Sequence, residues 1–151
     1  MSSAPSPDDS PALDHLVEVM RGLDVDQYHT LLAELMARDA SLAEAILEAM
    51  FSFEDLIYVT DRGMQTLLRE ADRAQLTRAL KQASDAVREK VLSNLSKRAG
   101  ERLLEEIDLL PPVRLSEVKE AQRALAKLAR SLEEAGELVI IRPGDDDPLI
   151  D

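Results

Sequence analysis

Two histidines, one pair of adjacent glutamates and one helix dense in charge are the places where this sequence could do chemistry. His15 and His29 fall in separate helical segments and the chain has no cysteine, so a metal site would have to recruit carboxylates from elsewhere. Structural or surface roles are expected for both. Glu105 and Glu106 are neighbours, and neighbouring helical positions point about 100° apart. Acid–base work also needs an apolar pocket to shift one carboxylate, and the flanking sequence offers none. A Gly-rich phosphate loop, a nucleophile elbow and a zinc signature are all missing. The expectation is a non-enzyme with no catalytic residue, no metal, no cofactor and no small-molecule substrate.

The more informative stretch runs from Ser96 to Leu109. It carries Lys97, Arg98, Glu101, Arg102, Glu105, Glu106 and Asp108 around a thin apolar stripe. At about 3.6 residues per turn, Arg98, Arg102 and Glu105 lie along one side. Taken alone, the pattern describes an ordinary solvated helix face.

The elements that must hold this helix are themselves helices. Leu13, Leu16, Val17, Met20 and Leu23 make a first stripe, and Tyr28, Leu31, Leu32, Leu35 and Met36 a second. Ser41 with Glu44 has the form of a capping box for a third helix running to Met50. Asp61 is the expected cap of a helix carrying Met64, Leu67 and Leu68, and Asp72 that of one carrying Leu76 and Leu80. Ser84 precedes Val87, Val91 and Leu92, and Ser96 precedes Ala99, Leu103, Leu104 and Ile107. Pro111 and Pro112 must stop that helix. Ser116 is the expected cap of the longest one, with Val118, Ala121, Leu125, Leu128 and Leu132 inward and Gly136 as a left-handed C-cap.

Composition agrees. Of 151 residues 45% are hydrophobic but only 3% aromatic, with no Trp, which fills helical bundles better than β-sandwiches. The formal net charge of -12 argues against nucleic acid and anionic membrane surfaces as partners. No run reaches the roughly 20 apolar residues that cross a bilayer, and the start MSSAPSPDDSPA lacks the pattern of a signal peptide. A cytoplasmic protein is expected.

The residue strings carry a resemblance. Met50-Phe51-Ser52-Phe53-Glu54-Asp55-Leu56, Asp61-Arg62-x-x-Gln65, Leu67-x-Arg69-Glu70, Ala79-Leu80-Lys81 and Arg88-Glu89-Lys90 stand in one order. Ser93-Asn94-Leu95-Ser96-Lys97-Arg98-Ala99, Pro112-Val113-Arg114-Leu115, Val118 to Gln122 and Glu134-Ala135-Gly136-Glu137-Leu138-Val139-Ile140 continue it. In order and spacing they resemble the C-terminal half of the flagellar motor switch family FliG, and 14–49 more weakly resembles its second armadillo unit. The resemblance implies an all-α, armadillo-like short-helix superhelix of two small lobes joined at a hinge. The implied organisation is a disordered lead-in over 1–12, an armadillo-like unit over 13–50, a torque domain over 51–142 and an acidic disordered tail over 143–151.

It further implies that the helix after Ser96 faces the stator protein MotA, with Lys81, Arg98, Glu105, Glu106 and Arg114 as the contact charges. Met50, Phe51 and Phe53 would form the hinge and the contact with the switch protein FliM, and other FliG-like subunits would be neighbours at the cytoplasmic face of the inner membrane. Three positions depart from the family pattern. Gln82 stands where Gly is frequent, Gly100 where Ala is usual, and Pro111 replaces the Gly before Pro112. Nothing in the chain resembles the family's N-terminal domain or first armadillo unit. The start MSSAPSPDD reads as a native beginning, which favours a short paralogue over an excised piece. The alternative function is accordingly a truncated FliG-like adaptor or regulator in a non-flagellar or modified motor complex.

Overall fold

In the computed structural model residues 11–141 are described; the tail expected over 143–151 and most of the expected lead-in lie outside them. The fold is all-α. Two compact units divide the chain, Met1–Phe51 and Ser52–Asp151.

The first unit holds α1 (Pro11–Arg21), α2 (Val25–Arg38) and α3 (Ala40–Met50). Its core is Leu13, Val17, Met20, Ala45 and Ile46, the inward stripe of α1 meeting that of α3. Tyr28, Leu31, Leu32 and Leu35 of α2 pack half-buried against it. Met36, expected inward, is exposed, and α2 has no fully buried residue. Asp24 and Gln27 cap α2 reciprocally, with Gln27 N–H donating to Asp24 Oδ1 at 2.8 Å. The cap of α3 is Asp39, whose Oδ1 accepts from Leu42 N–H at 3.1 Å. The expected Ser41–Glu44 box is displaced because Asp39 stands three residues before that N–H, the spacing a cap needs.

The second unit begins with a 3-10 helix, Phe53–Tyr58, followed by α4 (Asp61–Glu70), α5 (Arg73–Leu80), α6 (Asp85–Leu92), α7 (Lys97–Leu109) and α8 (Leu115–Glu134). Ser84 and Ser96 cap α6 and α7 as expected, their hydroxyls accepting from Val87 N–H and Ala99 N–H. Two caps differ from expectation by one or two residues. Thr60 Oγ1, not Asp61, accepts from Gly63 N–H at 3.1 Å, which leaves the Asp61 carboxylate to α6 and the turn after it. There Asn94 and Lys90 each donate to it at 3.2 Å, and these bonds hold the Asp61 carboxyl below the usual range. Arg114, not Ser116, occupies the cap position of α8.

Helix α8 is the spine of this unit, packing along α5 and against the 3-10 helix and α4. Its buried positions are Val118, Ala121, Leu125, Ala126, Ala129 and Leu132. Leu128, expected inward, is half-buried, since alanines 126 and 129 take the close approach. Gly136, at φ 78°, ends the helix. Its N–H donates to Glu133 O and that of Glu137 to Leu132 O, the paired bonds of a Schellman cap. The chain then turns so that Ile140 pairs antiparallel with Val59, burying Leu138 and Ile140 and exposing Val139 and Ile141. This bridge ties the end of the second unit to its beginning.

Candidate functional site

Helix α7 turns Gly100, Leu103 and Ile107 inward, a spacing of three and four that leaves the opposite face to solvent. On that face Arg98, Arg102 and Glu105 are exposed. No side-chain hydrogen bond or ion pair joins any of the three to another described residue. Leu104, expected inward, is 37% exposed while Leu103 beside it is fully buried. The stripe is thin because its upper part is a glycine. A Cβ placed on Gly100 would meet only Leu92 Cδ2, at 3.5 Å, an ordinary contact. Gly100→Ala should therefore stabilise the unit by about 1 kcal/mol through helix propensity alone, read as a raised denaturant midpoint at unchanged slope.

Two of the other candidate charges behave differently from Arg98 and Glu105. Glu106 Oε2 accepts from Arg73 Nε on α5 at 2.8 Å. Lys81, just beyond α5, donates from Nζ to the carbonyl of Ile107 at 3.2 Å, which also accepts from Leu110 N–H at the negative dipole end of α7. Arg114 is exposed at the start of α8. So Arg98, Glu105 and Arg114 are open, whereas Lys81 and Glu106 are engaged inside the unit. Met50 packs half-buried on the core of the first unit. Phe51 and Phe53 are buried, at 3% and 5% exposure.

Three side chains to which the sequence alone assigns no role organise this region. Arg73 is one. Gln122 of α8 donates from Nε2 to Ala79 O at 3.0 Å and Gln82 O at 2.8 Å. Arg88 of α6 donates from Nη2 to Leu80 O at 2.6 Å. Together Gln122 and Arg88 satisfy the carbonyls at the end of α5 that no backbone donor reaches. In the sequence Arg88 and Gln122 stand out only as members of the strings that carry the family resemblance. His15 and His29 are both exposed in the first unit, His29 edge-on to Tyr28.

The model of the FliG C-terminal domain family matches residues 33–140, a span that takes in α7 and every charge just described. The chain belongs to this family. Flagellar motor switch protein FliG of Thermotoga maritima is 42% identical over 135 residues, covering 89% of this chain and 40% of that protein. The FliG of Bacillus subtilis is 41% identical over 138 residues, 91% of this chain and 41% of the relative. The chain thus spans about two fifths of the length of these FliG relatives. Among solved structures, full-length FliG from Aquifex aeolicus superposes with a TM-score of 0.78 at 32% identity, covering 85% of this chain and 40% of that one. A FliG fragment from Helicobacter pylori gives 0.64 at 30% identity, covering 91% and 58%.

Proposed function

We propose that the chain is a non-catalytic rotor component of a flagellar motor switch, receiving force from the stator protein MotA through the charged face of α7 and taking part in reversal of rotation. The observation that supports it is the exposed, internally unpaired row of Arg98, Arg102 and Glu105 in a member of the FliG C-terminal family. Exposed ion pairs contribute at most about 1 kcal/mol each and steer encounter more than they hold. A stepping contact needs that property, because it must form and release quickly. Arg98 and Glu105 offer both signs along one row, with Lys81, Glu106 and Arg114 in the same charged region. In this proposal 13–50 is the armadillo-like unit and 51–142 the torque domain, with Met50, Phe51 and Phe53 at the joint and at the contact with FliM. Other FliG-like subunits are its neighbours, and its place is the cytoplasmic face of the inner membrane. Among the described residues no helix is long and apolar enough to cross that membrane.

Reversing Arg98 to Glu, or Glu105 to Lys, should cut swimming speed severely in the organism that encodes the chain. Both substitutions change surface positions, so stability should move by less than about 0.5 kcal/mol. Normal swimming by cells carrying both reversals would remove the torque role and leave the adaptor reading.

A further inference from the structure

Lys81 stands in the turn that joins α5 to α6, and the carbonyls around it are met by side chains of other elements. Gln122 Nε2 on α8 donates to Ala79 O at 3.0 Å and to Gln82 O at 2.8 Å, so the two N–H bonds of one amide bracket the lysine from either side. Arg88 Nη2 on α6 donates to Leu80 O at 2.6 Å. The Nε–H of the same arginine is shut away from solvent and meets no acceptor among the described residues. A buried donor left unpaired is a cost, which marks Arg88 as held in place rather than free to turn outward. Ser84, the cap of α6, adds a tie to the 3-10 helix by donating to Glu54 Oε2 at 2.6 Å. The turn is thus clamped from three elements, and no clamp takes up the Lys81 side chain. That side chain is exposed and spends one of its three N–H bonds on Ile107 O, which leaves two for a carboxylate from outside the chain. A lysine is a point charge on a flexible four-carbon stem. Where its ammonium stands is set by its backbone and by the single bond at its tip.

Resting on the rotor reading above, we propose that Gln122 and Arg88 are positioning residues, which hold the turn between α5 and α6 so that Lys81 presents its ammonium at the end of α7 to an acidic group of the stator. Both are half-buried. They act through Lys81 and make no contact with the partner themselves.

Gln122→Met and Arg88→Met keep an unbranched stem and remove the donors. In the purified full chain, with helical circular dichroism unchanged, acetic anhydride should then acetylate Lys81 about two- to five-fold faster relative to Lys97, the factor that one lost hydrogen bond supplies. Lys97 is the exposed reference on α7. In the encoding organism Lys81→Met should cut swimming speed to about half, since neutralising one exposed charge among several removes only its own small share. Gln122→Met should do about the same, and Gln122→Met combined with Lys81→Met should swim no worse than Lys81→Met alone. A residue that merely stabilised the end of α5 would instead add its loss to that of Lys81→Met. Additive losses, or an unchanged Lys81 acetylation rate in both donor variants, would overturn the proposal. Wild-type speed in Lys81→Met would overturn it too, as would wild-type speed in a Gln122→Met protein whose Lys81 acetylates faster. Arg98→Glu separates the two levels: normal swimming there removes the rotor role and this proposal with it, whereas failure confined to the Lys81 and Gln122 variants leaves that role standing.

Discussion

Leu103→Ala is expected to destabilise the second unit by about 3 kcal/mol, within the range of 2–5 kcal/mol found for emptying a fully buried leucine site. Leu103 is completely buried on α7. Truncating it removes transfer free energy and leaves a cavity, and the thin stripe of α7 has no spare side chain to fill it, since the residue one turn earlier is Gly100. For a unit of this size the loss corresponds to a fall in melting temperature of roughly 10–20 °C. Leu104→Ala is the internal control, because Leu104 is 37% exposed and its truncation should cost below about 1 kcal/mol. Thermal or urea unfolding of the two variants measures the difference. Equal losses would mean that α7 is rolled away from the orientation described, and with it the row of Arg98, Arg102 and Glu105.

Gly63→Ala should also destabilise, by about 1–2 kcal/mol, against the usual gain from replacing a helical glycine. A Cβ at Gly63 would stand 2.9 Å from both Leu138 Cγ and Val59 Cγ1. Val59 is itself a partner in the bridge to Ile140 and Leu138 stands two residues before the other partner, both buried, so neither has room to retreat. Overpacking of this kind costs about 1–3 kcal/mol, which outweighs a propensity gain of about 1 kcal/mol. The two glycines should therefore respond with opposite signs, Gly100→Ala raising the urea midpoint and Gly63→Ala lowering it. A Val59→Ala background should relieve part of the Gly63→Ala penalty, since the two sites share one contact and are expected to couple. A stabilising Gly63→Ala would mean that the Val59–Ile140 closure is looser than described.

What could be read from the residues follows from the range of each interaction. The helices were legible because their inward positions repeat locally, and Ser84 and Ser96 were legible as their caps. Thr60 with Asp61, Asp39 with Ser41, and Arg114 with Ser116 were not, since each pair offers neighbouring starts and the choice depends on which backbone turn closes first. Leu103 and Leu104 could not be told apart by periodicity, because an apolar stripe wide enough for both depends on what lies opposite. The Val59–Ile140 bridge joins residues far apart in sequence and left only a short apolar run as its trace. The candidate site divides in the same way. The exposed row of Arg98, Arg102 and Glu105 follows from helical spacing alone. That Glu106 meets Arg73, Lys81 meets Ile107 and Gln122 meets the end of α5 depends on how helices cross, and no local pattern records it.

In the proposed rotor role the outward charges of α7 act by sign on a stator. The most direct measurement is compensation in rotating cells: torque from tethered cells carrying Arg98→Glu, alone and combined with acidic-to-basic reversals along the cytoplasmic loop of MotA. Arg98→Glu alone should lose most of the torque and at least one loop reversal should restore it, because opposite charges attract whichever side carries which sign. Loss of torque that no loop reversal recovers, with the protein folded and assembled, would contradict it.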